Sequence, residues 1–182
     1  MKTILITVLL LCSTALLAQK KHAVQFDSYN SGGVAIGKLA KLFAAQTENG
    51  IAFKNWFAGL GFGIDNYYVK TLPLYGAVKK IFPVKRTAVF LYADIGGNFI
   101  AGSKSEKASY YSTLFRKGGF YADAGAGYMV STGKSTHIFL SIGNAVKHIE
   151  ETEKTYFIDG PGGVYDTKRK FSRIVVKLGF QF

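Results

Sequence analysis

Phe171-Ser172-Arg173-Ile174-Val175-Val176-Lys177-Leu178-Gly179-Phe180-Gln181-Phe182 closes a chain of 182 residues. From Ile174 onward every even position is apolar: Ile174, Val176, Leu178, Phe180 and Phe182. The odd positions are Val175, Lys177, Gly179 and Gln181. Successive side chains on a strand point to opposite faces. The stretch therefore reads as a strand with one apolar face and one mostly small or polar face, finishing on an aromatic residue.

At the other end stands Met1-Lys2-Thr3, then an apolar run from Ile4 to Leu11, then Ala18 before Gln19. A charged start, a short apolar core and a small residue at the cut make a secretory signal over residues 1–18, too short to span a bilayer as a mature helix. Leu11 precedes Cys12 where a lipidation site requires a small residue, so cleavage after Ala18 is expected. Cys12 is the only cysteine and leaves with the signal. Residues 19–182 then hold together by backbone pairing and packing, with no disulfide. The formal charge is +12, or +11 once Lys2 is removed. A basic exported chain points to anionic partners. No nucleic-acid motif accompanies the charge, so the phosphates of lipid are the expected partner. No run of 18 apolar residues follows residue 19, which excludes a transmembrane helix but not a transmembrane barrel, whose strands need only about ten alternating residues each.

The same alternation recurs along the chain. It predicts strands at residues 33–40, 43–54, 56–66, 72–82, 88–99, 120–130 and 137–149, with the closing strand as the eighth. Residues 19–30 read as a polar leader, and Asn49-Gly50 as a bulge or bend. The connections at 54–55, 83–87 and 132–135 are short, whereas 101–118 and 150–170 are long polar loops. Short turns on one side and long loops on the other are the rhythm of an outer-membrane barrel, and an even strand count places both termini on the periplasmic side. A secreted β-sandwich also alternates, but its apolar face must meet a second sheet.

The third strand is the clearest, with Ala58, Leu60, Phe62 and Ile64 on one face and Phe57, Gly59, Gly61, Gly63 and Asp65 on the other. Its glycines alternate and no helix follows, so it is not a dinucleotide fingerprint. Asn49-Gly50, then Trp56-x-x-Gly59-Leu60-Gly61-x-Gly63-x-Asp65, then Pro73-Leu74-Tyr75, together with Phe182, resemble the small eight-stranded outer-membrane β-barrels of the OmpA- and OmpX-like type. That class prefers a glycine where Lys177 stands; here the glycine is Gly179. The resemblance implies an all-β, membrane-spanning, antiparallel up-and-down barrel of eight strands. It also implies a terminal aromatic read by the barrel assembly machinery, and a place in the outer membrane of a Gram-negative-type bacterium. Inward glycines would leave room for large side chains opposite.

Chemistry is sparse. His22, His137 and His148 are scattered, with no acidic residue at metal-ligand spacing and no H-E-x-x-H. Ser141 has no histidine at its depth and face, and His148 falls on the lipid-facing parity. No catalytic residue, metal or cofactor is therefore assigned. The alternation instead turns Asp65, Lys79, Asp94, Asp123, Lys147, Arg173 and Lys177 inward. Charges inside a narrow barrel must be paired; Asp94 is expected to pair with Lys177 or Lys79. Arg116, Lys117, Lys168, Arg169 and Lys170 fall at the outer rim, where they can meet outer-membrane lipid, lipopolysaccharide or another polyanion. Trp56, Phe57, Phe82, Tyr67, Tyr68 and Phe182 lie near strand ends and suit interfacial girdles. The resulting reading is a monomeric barrel with a structural or surface-interaction role and a lumen plugged by charge pairs. The alternatives are a small passive channel and a lipid-modifying barrel enzyme.

Overall fold

The computed structural model describes residues 24–36, 41–66, 69–102, 105–109, 112–133, 135–155 and 163–182. The signal segment, residues 37–40 of the first expected strand, Tyr67 and Tyr68 lie outside them. The strands are β1 (Gln25–Ile36), β2 (Lys41–Phe53), β3 (Trp56–Asn66), β4 (Lys70–Val84), β5 (Thr87–Ile100), β6 (Ser105–Ser109), β7 (Ser112–Ser131), β8 (His137–Thr155) and β9 (Gly163–Gln181). All pairings are antiparallel. Neighbours in sequence pair from β1 to β5, β5 pairs with β7, and β7, β8 and β9 follow, with β9 returning to β1. Eight strands thus close a ring, which leaves no edge. The short β6 stands outside it, paired with the outer end of β7. The final residue completes the closure: Phe182 and Ser28 exchange backbone hydrogen bonds of 2.8 and 3.1 Å.

The alternation read from the sequence is the alternation of the ring. Leu60, Leu91, Ile142 and Leu178 point outward and are all more than half exposed, Leu60 at 71%. Apolar residues stand out in the same way on every strand of the ring except at the outer ends. A sandwich would have covered this face with a second sheet; the ring leaves it for hydrocarbon. Tyr29, Phe57, Tyr75, Phe90, Tyr92, Tyr121 and Phe139 point inward and pack as one cluster. Gly61 and Gly127 make room for two of them, since a Cβ at either would overlap the ring of Tyr75 or Phe90 respectively.

Four expectations are corrected. The polar leader is strand: β1 begins at Gln25, because Asp27 and Tyr29 alternate into the interior, where polarity is no sign of a loop. Asn49-Gly50 is neither bulge nor bend, and the ladders run through it on both sides, Asn49 opposite Ser28 and Leu60. The chain reverses at Lys54-Asn55, with Lys54 at φ 55°, and again at Lys85-Arg86, with Lys85 at φ 54°. The long loops are mostly strand: β7 reaches back to Ser112, β8 on to Thr155, and β9 starts at Gly163. Phe57 is no girdle residue. It is fully buried against Tyr29, ring centroids 4.9 Å apart, while Trp56, Phe82 and Phe182 are about half exposed on the outer face.

Candidate functional site: the charged interior and the outer rim

Within the ring the inward charges form a layered arrangement. Nearest the end of the ring that holds Phe182, Gln181 donates to Asp27 across 2.9 Å. Above it Lys79 meets Glu48 at 2.5 Å, both side chains about 5% exposed. The Lys79 ammonium also lies 4.9 Å from the Tyr29 ring and 5.3 Å from the Tyr92 ring, with Phe57 and Phe90 just under 6 Å away. An ammonium held over several ring faces recovers part of the hydration it has lost. At mid-height Lys177 pairs with Asp123 at 2.7 Å and donates to Gln46 across 2.8 Å; Gln46 in turn donates to the Tyr121 hydroxyl. Further out Lys147 pairs with Asp65, which also accepts from Thr71 at 2.6 Å. Tyr75 and Tyr92 donate to Glu48 and Asp123.

Six of the seven inward charges read from the sequence are therefore buried: Asp65, Lys79, Asp94, Asp123, Lys147 and Lys177. Arg173 is partly buried further out, opposite Ala145. The expected Asp94 pairing is corrected. Lys79 and Lys177 bind Glu48 and Asp123 instead, and both Asp94 carboxylate oxygens are buried without a hydrogen-bond partner among the described residues. The sequence reading missed three buried acids, Asp27, Glu48 and Glu151, of which Glu48 is the one that pairs in the central layers. The signal for Glu48 was parity: counted back from the Lys54-Asn55 turn without a bulge, it falls on the inward side with Gln46 and Ala44. The space left among Ser31, Glu48, Lys79, Phe90, Ser141 and Lys177 is a cavity of about 10 Å³, room for about one water.

At the outer rim, Arg116 and Arg169 are both tied to Glu151, Arg116 at 3.1 Å. Lys168 is 85% exposed and lies 3.5 Å from Glu150. Lys117 and Lys170 are exposed. The five basic residues are thus on the extended ends of β7 and β9 rather than on loops. Ser141 lies inside the barrel and His148 outside, its ring 5.8 Å from that of Phe120, so the two do not meet. No group of three or more metal-binding side chains occurs among the described residues.

The same architecture occurs in solved structures. The N-terminal β-barrel domain of Pseudomonas aeruginosa OprF superposes with a TM-score of 0.52 at 13% identity, over 88% of this chain and 100% of that one. Outer membrane protein AlkL, determined in lipid bilayers, superposes with a TM-score of 0.53 at 13% identity, over 91% of this chain and 92% of that one. No family model matches the chain, and no curated protein matches it in sequence. The fold is that of a small eight-stranded outer-membrane β-barrel.

Proposed function

We propose that this chain is an integral outer-membrane barrel whose lumen is plugged by its own side chains, and that it serves as a structural or surface-interaction element. The observation that carries this reading is the interior itself. Three ion pairs and seven aromatic rings occupy it, and the cavity that Glu48, Lys79, Ser141 and Lys177 help to line has a volume of about 10 Å³. A conduit for solutes needs a continuous water column. On this reading the chain is exported by its signal, cut after Ala18, and folded as a monomer by the barrel assembly machinery through β9 and Phe182. Its outer rim then meets lipopolysaccharide or other anionic lipid. The test is efflux of small ions and sugars from liposomes carrying the purified barrel. Efflux no faster than from empty liposomes supports the plug; size-dependent efflux overturns it.

One observation favours the passive channel as a second reading. Asp94 offers Lys79 and Lys177 an alternative partner, so the ion pairs have somewhere to go if the plug rearranges. Ser141 and His148 lie on opposite faces of the wall, so they do not form the pair that the enzyme reading would use.

A further inference from the structure

The two ends of the ring differ in the sign of the charge they carry. At the end where Ser112 and Gly163 stand, acids and bases are interleaved: Glu150, Glu151, Glu153 and Asp166 share β8 and β9 with Lys154, Lys168, Arg169 and Lys170. At the end that holds Phe182, the turns and outer face carry Lys54, Lys80, Lys85 and Arg86 and no acidic side chain. The chain has 11 acidic residues, and each can be placed. Asp27, Glu48, Asp65, Asp94 and Asp123 are buried inside the ring. Glu106, Glu150, Glu151, Glu153 and Asp166 lie on β6, β8 and β9 at the far end, and Asp159 is outside the described residues. Two anions remain near the Phe182 end. Asp27 is buried and bonded to Gln181, and the terminal carboxylate of Phe182 follows β9, with β1, β2 and β3 between it and β4 in the ring. Among the described residues, no ion pair includes Lys54, Lys80, Lys85 or Arg86.

These cations are held in place by the wall. The Lys54-Asn55 turn is pinned to β4, where Ile81 N donates to the Asn55 carbonyl across 2.8 Å. The Lys85-Arg86 turn is pinned to β7, where Ser131 N donates to the Arg86 carbonyl across 3.0 Å. Lys54 and Lys85 take left-handed positions, φ 55° and 54°, which glycine adopts freely and a residue with a Cβ does not. Lys80 separates the kinds of anion the rim can face. It stands opposite Trp56 in register, and its ammonium lies 4.5 Å from the Trp56 ring centroid. The Lys54 ammonium lies 5.3 Å from the ring of Phe53, which pairs with Trp56 across the turn. Both ammonium groups thus rest on neighbouring aromatic rings of the outer face. An indole half exposed on that face sits where hydrocarbon gives way to headgroups. The Lys80 ammonium is therefore on the side of the barrel at headgroup depth. A lipid phosphate reaches it there, whereas a polymer in the water beyond the turns does not.

We propose that the arc from the Lys54-Asn55 turn to the Lys85-Arg86 turn is a headgroup site for an anionic glycerophospholipid. The lipid phosphate accepts from the ammonium groups of Lys54 and Lys80, and Lys85 and Arg86 add attraction from the next turn. The acyl chains run toward the midplane along Ala58, Leu60 and Val78, all exposed on the outer face. The inference rests on the outer-membrane reading above, and goes beyond it by giving the Phe182 end its own lipid, selected by headgroup charge.

Trp56 is the single tryptophan, so the site carries its own reporter. The test places the barrel, refolded from Gln19 onward, in mixed vesicles of phosphatidylcholine and phosphatidylglycerol, with one or the other lipid brominated on its acyl chains. Quenching of Trp56 then gives the ratio of the two lipids beside it. The ratio is taken within each variant, so changes in tryptophan brightness cancel. Enrichment of phosphatidylglycerol by about fivefold or more over its bulk fraction is expected. Lys54→Gly and Lys80→Gln should each lower it by about threefold or more, whereas Lys168→Gln at the far end should leave it unchanged. Lys54→Gly also relieves the backbone at φ 55°, so its loss of enrichment comes without a loss of stability. Equal quenching by the two lipids would overturn the site, as would an enrichment that neither substitution lowers. Loss of the enrichment on adding inorganic phosphate or soluble peptidoglycan fragments would give the site to another anion and overturn the lipid. A Trp56 that neither brominated lipid quenches would fail the outer-membrane reading instead, a distinguishable result.

Discussion

Removal of Lys79 and removal of Glu48 should have unequal effects, although the two form one ion pair. The central layers hold three carboxylates, Glu48, Asp94 and Asp123, against two ammonium groups, Lys79 and Lys177. Lys79→Met leaves three carboxylates facing one lysine. Breaking a buried pair so that a charge is stranded costs about 3–5 kcal/mol, and here Asp94 has no partner to relieve the excess. Glu48→Gln leaves two carboxylates facing two lysines, and Lys79 can turn to Asp94, whose carboxylate oxygens have no hydrogen bond to give up. Its cost should fall to about 1–2 kcal/mol, the desolvation of a neutral amide in place of the acid. The aromatic rings around Lys79 accentuate the asymmetry, because Met forfeits the ammonium–ring attraction that Gln at position 48 leaves in place. Reversible urea unfolding in lipid vesicles measures both, with the single tryptophan, Trp56, reporting from the outer face. Equal costs, or a larger cost for Glu48→Gln, would refute the assignment of Asp94 as the spare partner. Costs below about 0.5 kcal/mol for both would mean that water screens the pairs.

Leu60→Arg should cost about 2–4 kcal/mol in the same assay, because Leu60 lies four residues above the rim at Trp56, near the bilayer midplane; a neutral result would remove that face from the membrane. Lys85→Gly should stabilise the barrel by about 0.5–1 kcal/mol, since its φ of 54° is costly for any residue with a Cβ; an unchanged unfolding midpoint would contradict this. Neutralising Lys117, Lys168 and Lys170 together should weaken lipopolysaccharide binding at low salt and flatten its salt dependence, as titrated by isothermal calorimetry; equal binding would leave those side chains as solvated surface. Arg116 and Arg169 are left in place because Glu151 depends on both.

Much of the architecture was legible because a barrel wall has one period. Leu60, Leu91 and Leu178 alternate with Gly61, Tyr92 and Lys177, and parity alone assigned them correctly to the two faces. Parity failed where a polar residue was taken to mean loop. Asp27, Arg116 and Glu151 are polar because they face the interior or the rim, and their strands simply continue. Glu48 was lost to Asn49-Gly50, a hairpin signal in water that the paired strands on either side override here. The partners of each charge were not legible at all. Glu48 with Lys79, Asp123 with Lys177 and Asp65 with Lys147 join residues far apart in sequence, and only the closure of the ring sets which of them face one another.

The packed lumen is tested most directly by thiol accessibility at Ser141, which is 4% exposed and lines the small central cavity. Cys12 is the only cysteine in the chain, so a barrel refolded from Gln19 onward carries none, and Ser141→Cys supplies a single inward thiol. The folded barrel in lipid should not react with a charged, water-soluble methanethiosulfonate reagent, while the same chain reacts at once when unfolded in urea. Rapid labelling of the folded barrel would show a water column where the account places side chains.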